Sequence, residues 1–234
     1  MKKILFSLLI FLSFITYAQE KWDYPIKPRT EEWKNLENHQ KRLEVCQIPE
    51  SVLQNISTND LMILCLQYPF LSNVLAFNNM NAGLDMLFIN FNGIREFSKR
   101  ENVLNSLREQ YLLEISAFPE ILKGGVDLDI GYAVIRISTL EVLLSCKDFH
   151  NGVSKENQKK ILESLLFGYR EKIKYSKYFR GTGFTTNLFA RANVIIKIDP
   201  ALTEKFDNSP VLYAGIADGD TINTTDSLSY NLIK

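Results

Sequence analysis

The sequence predicts an all-α fold: antiparallel stacked helices, with HEAT-like helical pairs as one form of the stack, behind a cleaved signal peptide. Three observations carry this expectation. Apolar residues recur three and four apart along most of the chain, the period of a helix that buries one side. Breakers at Pro49, Pro69, Pro119, Gly124-Gly125, Gly152, Gly181 to Gly183, Pro200 and Pro210 cut the chain into helix-sized segments. The single stretch with strand-like alternation has no second strand to pair with. No fixed repeat period accompanies the HEAT-like segment lengths.

The chain opens with Lys2 and Lys3, the uncharged run Ile4 to Ile15 (ILFSLLIFLSFI), Thr16-Tyr17-Ala18, and then the polar Gln19-Glu20-Lys21. This is the pattern of a secretory signal peptide cleaved after Ala18. Its apolar run is well short of the roughly 20 residues that span a bilayer. The first cysteine, Cys46, lies far from that junction, so a soluble periplasmic or extracellular protein is expected rather than a lipoprotein. No later stretch reads as a membrane span. The expected organisation is a signal peptide over residues 1–18 and one all-helical domain over residues 19–234.

The elements follow in order. In STNDLMILCLQYPF, Ser57 and Asp60 form a capping-box-like start, and Pro69 disfavours helix at Tyr68. Leu61, Leu64, Cys65 and Tyr68 then share one face, which predicts a buried, inert thiol at Cys65. Over Glu101 to Phe118, Val103, Leu104, Leu107, Tyr111, Ile115 and Phe118 make an apolar stripe, with Pro119 expected to end the helix. VDLDIGYAV (Val126 to Val134) alternates like a strand, but RISTLEVLLSCKDF continues it at helical spacing, so it is assigned to a helix buried on several sides.

From Ser154, a suitable N-cap, to Tyr178, the stripe Ile161, Leu162, Leu165, Leu166, Tyr169 and Ile173 predicts the next helix. Lys172, Lys174 and Lys177 lie near its end and suit the negative pole of the helix dipole. Gly183 to Ile198 follows, with Phe184, Leu188, Ala192 and Ile195 in register and Asp199-Pro200 at its end. In the C-terminal tail, Asp218, Asp220 and Asp226 depart from the spacing of a calcium loop, whose glycine belongs at the sixth position. A capped helix is expected instead, with Asp218 near its start and Ile222, Leu228 and Leu232 on its inner face.

Taking the two leader lysines from 27 basic residues leaves a net charge of −2 against 27 acidic ones. Such a balance gives no long-range attraction to nucleic acid or anionic lipid. Three cysteines, Cys46, Cys65 and Cys146, permit at most one disulfide, whose pairing the sequence leaves open. No spacing of a zinc site, nucleophile elbow, zinc-peptidase helix or phosphate-binding loop occurs, and no metal or cofactor is expected.

Chemistry has three places to reside. His150 lies four residues after Cys146, so on a continued helix thiol and imidazole share a face. Asp85 and Glu141 interrupt apolar stretches, where a carboxylate serves as a general acid or pairs with Arg95 or Arg136. Phe77 to Arg95 interleaves Asn78, Asn79, Asn81, Asn90 and Asn92 with Phe77, Phe88 and Phe91. Amides beside aromatic rings can grip a sugar or peptide, or simply build turns and caps.

The order QIPESVLQNIST, DLMILCLQYP, FNNMNAGLD, FNGIREFSKR, GTGFTTNLFARANVI and GIADGDTIN resembles an uncharacterised family of secreted proteins from gut and environmental Gram-negative bacteria. The resemblance runs from about Gln47 to the end and implies an exported all-helical domain. It brings no activity, ligand or catalytic residue. The expected function is a secreted or periplasmic, non-catalytic interaction module with a protein or glycan partner. The alternative is a hydrolase-like enzyme using buried carboxylates or the Cys146/His150 pair.

Overall fold

The structure, a computed structural model, describes residues 22–77, 79–206 and 219–234. The expected signal peptide, Asn78 and Asp218 lie outside the described residues. Among these residues the chain is all-helical and has no strand. Six short helices come first: α1 (Glu31–Lys34), α2 (His39–Val45), α3 (Glu50–Leu53), α4 (Thr58–Leu66), α5 (Met80–Asn90) and α6 (Asn92–Phe97). Four long ones follow: α7 (Val103–Gly124), α8 (Asp127–Leu144), α9 (Lys155–Lys174) and α10 (Thr182–Ile198), and then α11 (Gly219–Leu232). Turns of 3-10 helix occupy Leu71–Ala76, Lys147–His150 and Pro200–Lys205.

The long helices form two consecutive pairs, α7 with α8 and α9 with α10, as short connections dictate. The pairs meet where α10 packs on α8 and α9 on α7. Helix α11 lies on α10 and α9, while α4 packs on α6 and α7. One contiguous apolar core runs from Tyr24 to Phe206.

Local chemistry accounts for most boundaries. Ser57 accepts from the Asp60 N–H at 3.1 Å and donates to the Asp60 carboxylate at 2.7 Å, so α4 starts as expected. Helix α4 is buried almost all round, through Leu61, Met62, Leu64, Cys65 and Leu66. Ser154 caps α9 through the Asn157 N–H. The alternating segment at Val126 is helical from Asp127, and its second half, Ile137 to Leu144, is buried on every side.

Two expectations are corrected. Helix α7 does not stop before Pro119 but runs through it to Gly124. Proline removes one bond to the preceding turn. Phe118 is fully buried there, with its ring 5.6, 6.1 and 4.7 Å from those of Tyr175, Tyr178 and Phe179. That packing holds both sides of the break, and Gly125, at φ 69°, provides the left-handed stop. Helix α9 ends at Lys174 rather than Tyr178, and Ile173 is exposed while Lys172 is fully buried. Ile161, Leu162, Leu165 and Leu166 are buried as expected, and the inner line then continues through Gly168 and Lys172 rather than Ile173. Gly168 explains the shift: a Cβ there falls 1.7 Å from the Tyr111 hydroxyl, so its absence lets α9 close onto α7.

Candidate functional site

The densest polar chemistry lies where α7, α8, α9 and α10 converge. Glu141 of α8 projects into this junction with its side chain wholly out of water. One carboxylate oxygen accepts from the Tyr111 hydroxyl and the Asn187 amide, each at 2.8 Å. The other accepts from the Lys172 ammonium at 2.5 Å and the Thr186 hydroxyl at 2.6 Å. Lys172 also donates to the Gly183 carbonyl at 2.6 Å, and Asn187 to the Leu165 carbonyl at 2.9 Å. The cluster continues to Arg191, which donates to Asn187 at 2.9 Å and to Asp226 of α11 at 2.6 Å, and lies over the Tyr169 ring.

The electrostatics follow from enclosure. Burial lowers the pKa of Lys172, opposed by the adjacent Glu141 charge. Burial, reinforced by Glu141, raises that of the Tyr111 phenol well above its usual value. A carboxylate has about four lone-pair sites, and Glu141 has four donors, so no site remains for a substrate proton. Tyr111, Glu141, Lys172, Thr186, Asn187 and Arg191 are all fully buried. The arrangement ties four helices together in one geometry.

Of the two carboxylates singled out in the sequence, only Glu141 is internal. Asp85 is exposed on α5. Neither expected arginine partner serves: Arg136 forms a two-pronged pair with Glu114, and Arg95 donates to the Phe88 and Ile89 carbonyls. The partner of Glu141 is Lys172, a residue expected near the helix end, at the negative pole of its dipole. A signal for the rest of the cluster was present in α10. With Leu188, Phe189, Ala190, Ala192, Val194 and Ile195 buried, that helix has no outer face for Arg191.

The thiol–imidazole pair does not form. Helix α8 ends at Leu144, so Cys146 and His150 do not share its face. His150 Nε2 is 2.8 Å from the Leu144 carbonyl, and Nδ1 has no hydrogen-bond partner. Burial lowers the pKa of His150 and pushes that of the Cys146 thiol up to about 12. Cys46 is pushed up to about 11, and Cys65 higher still, again by burial. All three cysteines are free and buried, so the disulfide left open in sequence is not present.

The asparagine-rich stretch divides its labour. Asn79 caps α5 by accepting from the Asn81 and Ala82 N–H groups. Asn92 exchanges two hydrogen bonds with the Ile48 backbone, at 3.0 and 2.7 Å. Phe91 stacks on Tyr68 at 4.0 Å, and Phe88 packs on Phe149. In the tail, α11 turns Thr221, Thr225 and Ser229 inward, flanked by half-buried Ile222, Leu228 and Leu232. Thr225 and Ser229 can be buried because each donates to the carbonyl four residues earlier, at 2.7 Å. Among the described residues no group of three metal-ligating side chains assembles, and no helix is long and apolar enough to cross a membrane.

Among the described residues, an exposed apolar face lies on the α7–α8 pair. At the start of α8, Val126 just before the helix and Leu128, Tyr132 and Ile135 on its first half are 50, 55, 44 and 41% exposed. Beside them, α7 and α8 enclose a groove of about 520 Å³ floored by Ala117, Ile121 and Ala133. Tyr132 belongs to both, and Glu114, Asp129 and Arg136 rim the groove.

Fold and site together define an all-helical protein organised around a sealed glutamate–lysine cluster, with an open apolar face on one helical pair. Comparison with protein-family models, curated proteins and solved structures finds no match.

Proposed function

We propose that the protein is an exported, non-catalytic helical module that binds a protein partner through the α7–α8 face. The observation that carries this is the row Leu128, Tyr132 and Ile135, large apolar side chains left in water on a helix whose other half is completely buried, with Val126 exposed just before it. An apolar centre with an aromatic ring, bounded by Glu114, Asp129 and Arg136, has the composition of a protein–protein contact. Exposed apolar residues that share a helix face and adjoin a groove are interaction surfaces more often than scattered single ones. Export rests on the leader, Lys2-Lys3 followed by Ile4 to Ile15 and Ala18. The cluster at Glu141 supports the non-catalytic reading, since its acceptor sites are filled and closed to water.

The test is chemical cross-linking of the tagged mature protein in its native cells, followed by mass spectrometry, beside a Leu128→Glu/Ile135→Glu variant. One reproducible partner, lost in a variant with an unchanged circular dichroism spectrum, supports the reading. A partner retained by the variant refutes the assignment of this face.

A further inference from the structure

Leu128, Gly131, Tyr132 and Ile135 stand at i, i+3, i+4 and i+7 on α8, so they form one stripe along its outer side. The opposite side carries Ile130, Ala133 and Ile137, all buried. This is the spacing with which one helix packs along another. Arg29 lies over the Tyr132 ring, 5.7 Å from its centroid, yet the tyrosine keeps its exposure. Gly131 sits within the stripe, where glycine weakens a helix relative to alanine. Its backbone is not left-handed, and an added Cβ meets nothing within 4 Å, so neither conformation nor packing among the described residues calls for it. What a missing Cβ permits at an open position is the close approach of a second backbone.

Charge narrows which backbone approaches. The edge of the stripe toward α7 carries Asp129 and Arg136, one on each side of Tyr132 along the helix. Asp129 has no ion pair among the described residues. Arg136 pairs with Glu114, yet its side chain is still 40% exposed and open to a second carboxylate. When a second α8 is laid antiparallel on the first, about a two-fold axis at Tyr132, the α7 edges of both copies fall on the same side. Asp129 of each copy then faces Arg136 of the other, and both pairs form at once, because a two-fold contact makes every interaction twice. A parallel arrangement sets the charged edge against the far edge, where Asp127 stands near Asp129 and no acidic residue is level with Arg136. We infer that the occupant of the α7–α8 face is a second copy of this chain, joined by antiparallel α8–α8 packing over Leu128, Tyr132 and Ile135. The inference rests on the reading of that face as a protein-binding surface and names its partner. The stripe is confined to the exposed half of α8, so the dimer exchanges with monomer, as small interfaces do.

Sedimentation equilibrium of the mature protein, from low to high micromolar concentration, is expected to show an average mass rising from one chain toward two. Asp129→Arg and Arg136→Glu each set like charges against one another twice, and each is expected to weaken self-association about tenfold. Mixed in equal amounts, the two variants restore it, because each supplies the charge that the other lacks. Neither loss of fold nor an unrelated contact produces restoration on mixing, and unchanged circular dichroism of Asp129→Arg confirms that the fold persists. Self-association that both variants leave untouched overturns the α8–α8 contact. A chain that stays monomeric throughout overturns the second copy. In that case α8 cross-links to a different protein in cells leave the face as a binding surface, and their absence overturns both readings.

Discussion

Glu141 and Lys172, 31 residues apart, meet at 2.5 Å with both side chains completely excluded from water. Taking two charges out of water costs several kcal/mol each, so the pair persists only because hydrogen bonds satisfy the rest of both groups. For Glu141 these come from Tyr111, Thr186 and Asn187, and for Lys172 from the Gly183 carbonyl.

Removing one member leaves the other charged and unpaired. Glu141→Gln is expected to lower unfolding free energy by about 3–5 kcal/mol. Adding Lys172→Met to it recovers part of that loss, because the orphaned ammonium is gone. Urea unfolding of both single variants and the double variant checks this, and additive losses would show that the two side chains are not coupled.

Gly168 sits mid-helix, where alanine has the better propensity by about 1 kcal/mol. Its missing Cβ is nevertheless the space occupied by the Tyr111 hydroxyl. Gly168→Ala is therefore expected to destabilise by about 1–3 kcal/mol through overpacking. Gly168→Ala in a Tyr111→Phe background should be milder, which thermal unfolding of the pair of variants tests.

His150 is held neutral by burial, with its pKa below the usual 6.5. Below about pH 6.5 the unfolded chain takes up a proton that the folded one does not, so stability falls as pH drops from 7 toward 5. One such group contributes a slope of at most about 1.4 kcal/mol per pH unit. His150→Gln, which keeps an N–H donor for Leu144, should flatten this part of the profile. Urea midpoints at pH 7, 6 and 5 read it directly, and an unchanged slope would contradict the assignment.

The thiols give the opposite sign at alkaline pH. Cys46 and Cys146, pushed up to about 11 and 12, stay protonated in the folded state while the unfolded chain ionises near pH 9. Their contribution to stability is full below pH 9 and is lost as pH rises through the folded values. At pH 8, iodoacetamide should label none of Cys46, Cys65 and Cys146 in the native protein and all three in urea. Rapid native labelling of Cys146 would revive a reactive thiol.

Helix positions were legible because apolar period and caps are local: Ser57 and Ser154 start helices where their spacing says they should. The burial of Cys65 followed from its neighbours on the same face. The burial of Lys172 was not legible because a lysine near a helix end is ordinarily solvated, and only the approach of Glu141 from another helix brings it inside. Pro119 misled in the same way, its local penalty outweighed by the packing of Phe118 against Tyr175, Tyr178 and Phe179. Tyr111 and Asn187, 76 residues apart, share Glu141, a meeting that periodicity along one helix does not contain. The α8 stripe was invisible for a related reason, since the strand-like alternation of Leu128, Ile130 and Tyr132 conceals which of them face the core.

The most direct measurement places a photo-cross-linking amino acid singly at Leu128, Tyr132 and Ile135, and at the exposed Lys155 of α9 as a reference, in living cells. Adducts with one and the same protein at the three α8 positions, and none at Lys155, are the predicted result. Absence of adducts at α8, or equal adducts at all four positions, would contradict a partner-binding face on α7–α8.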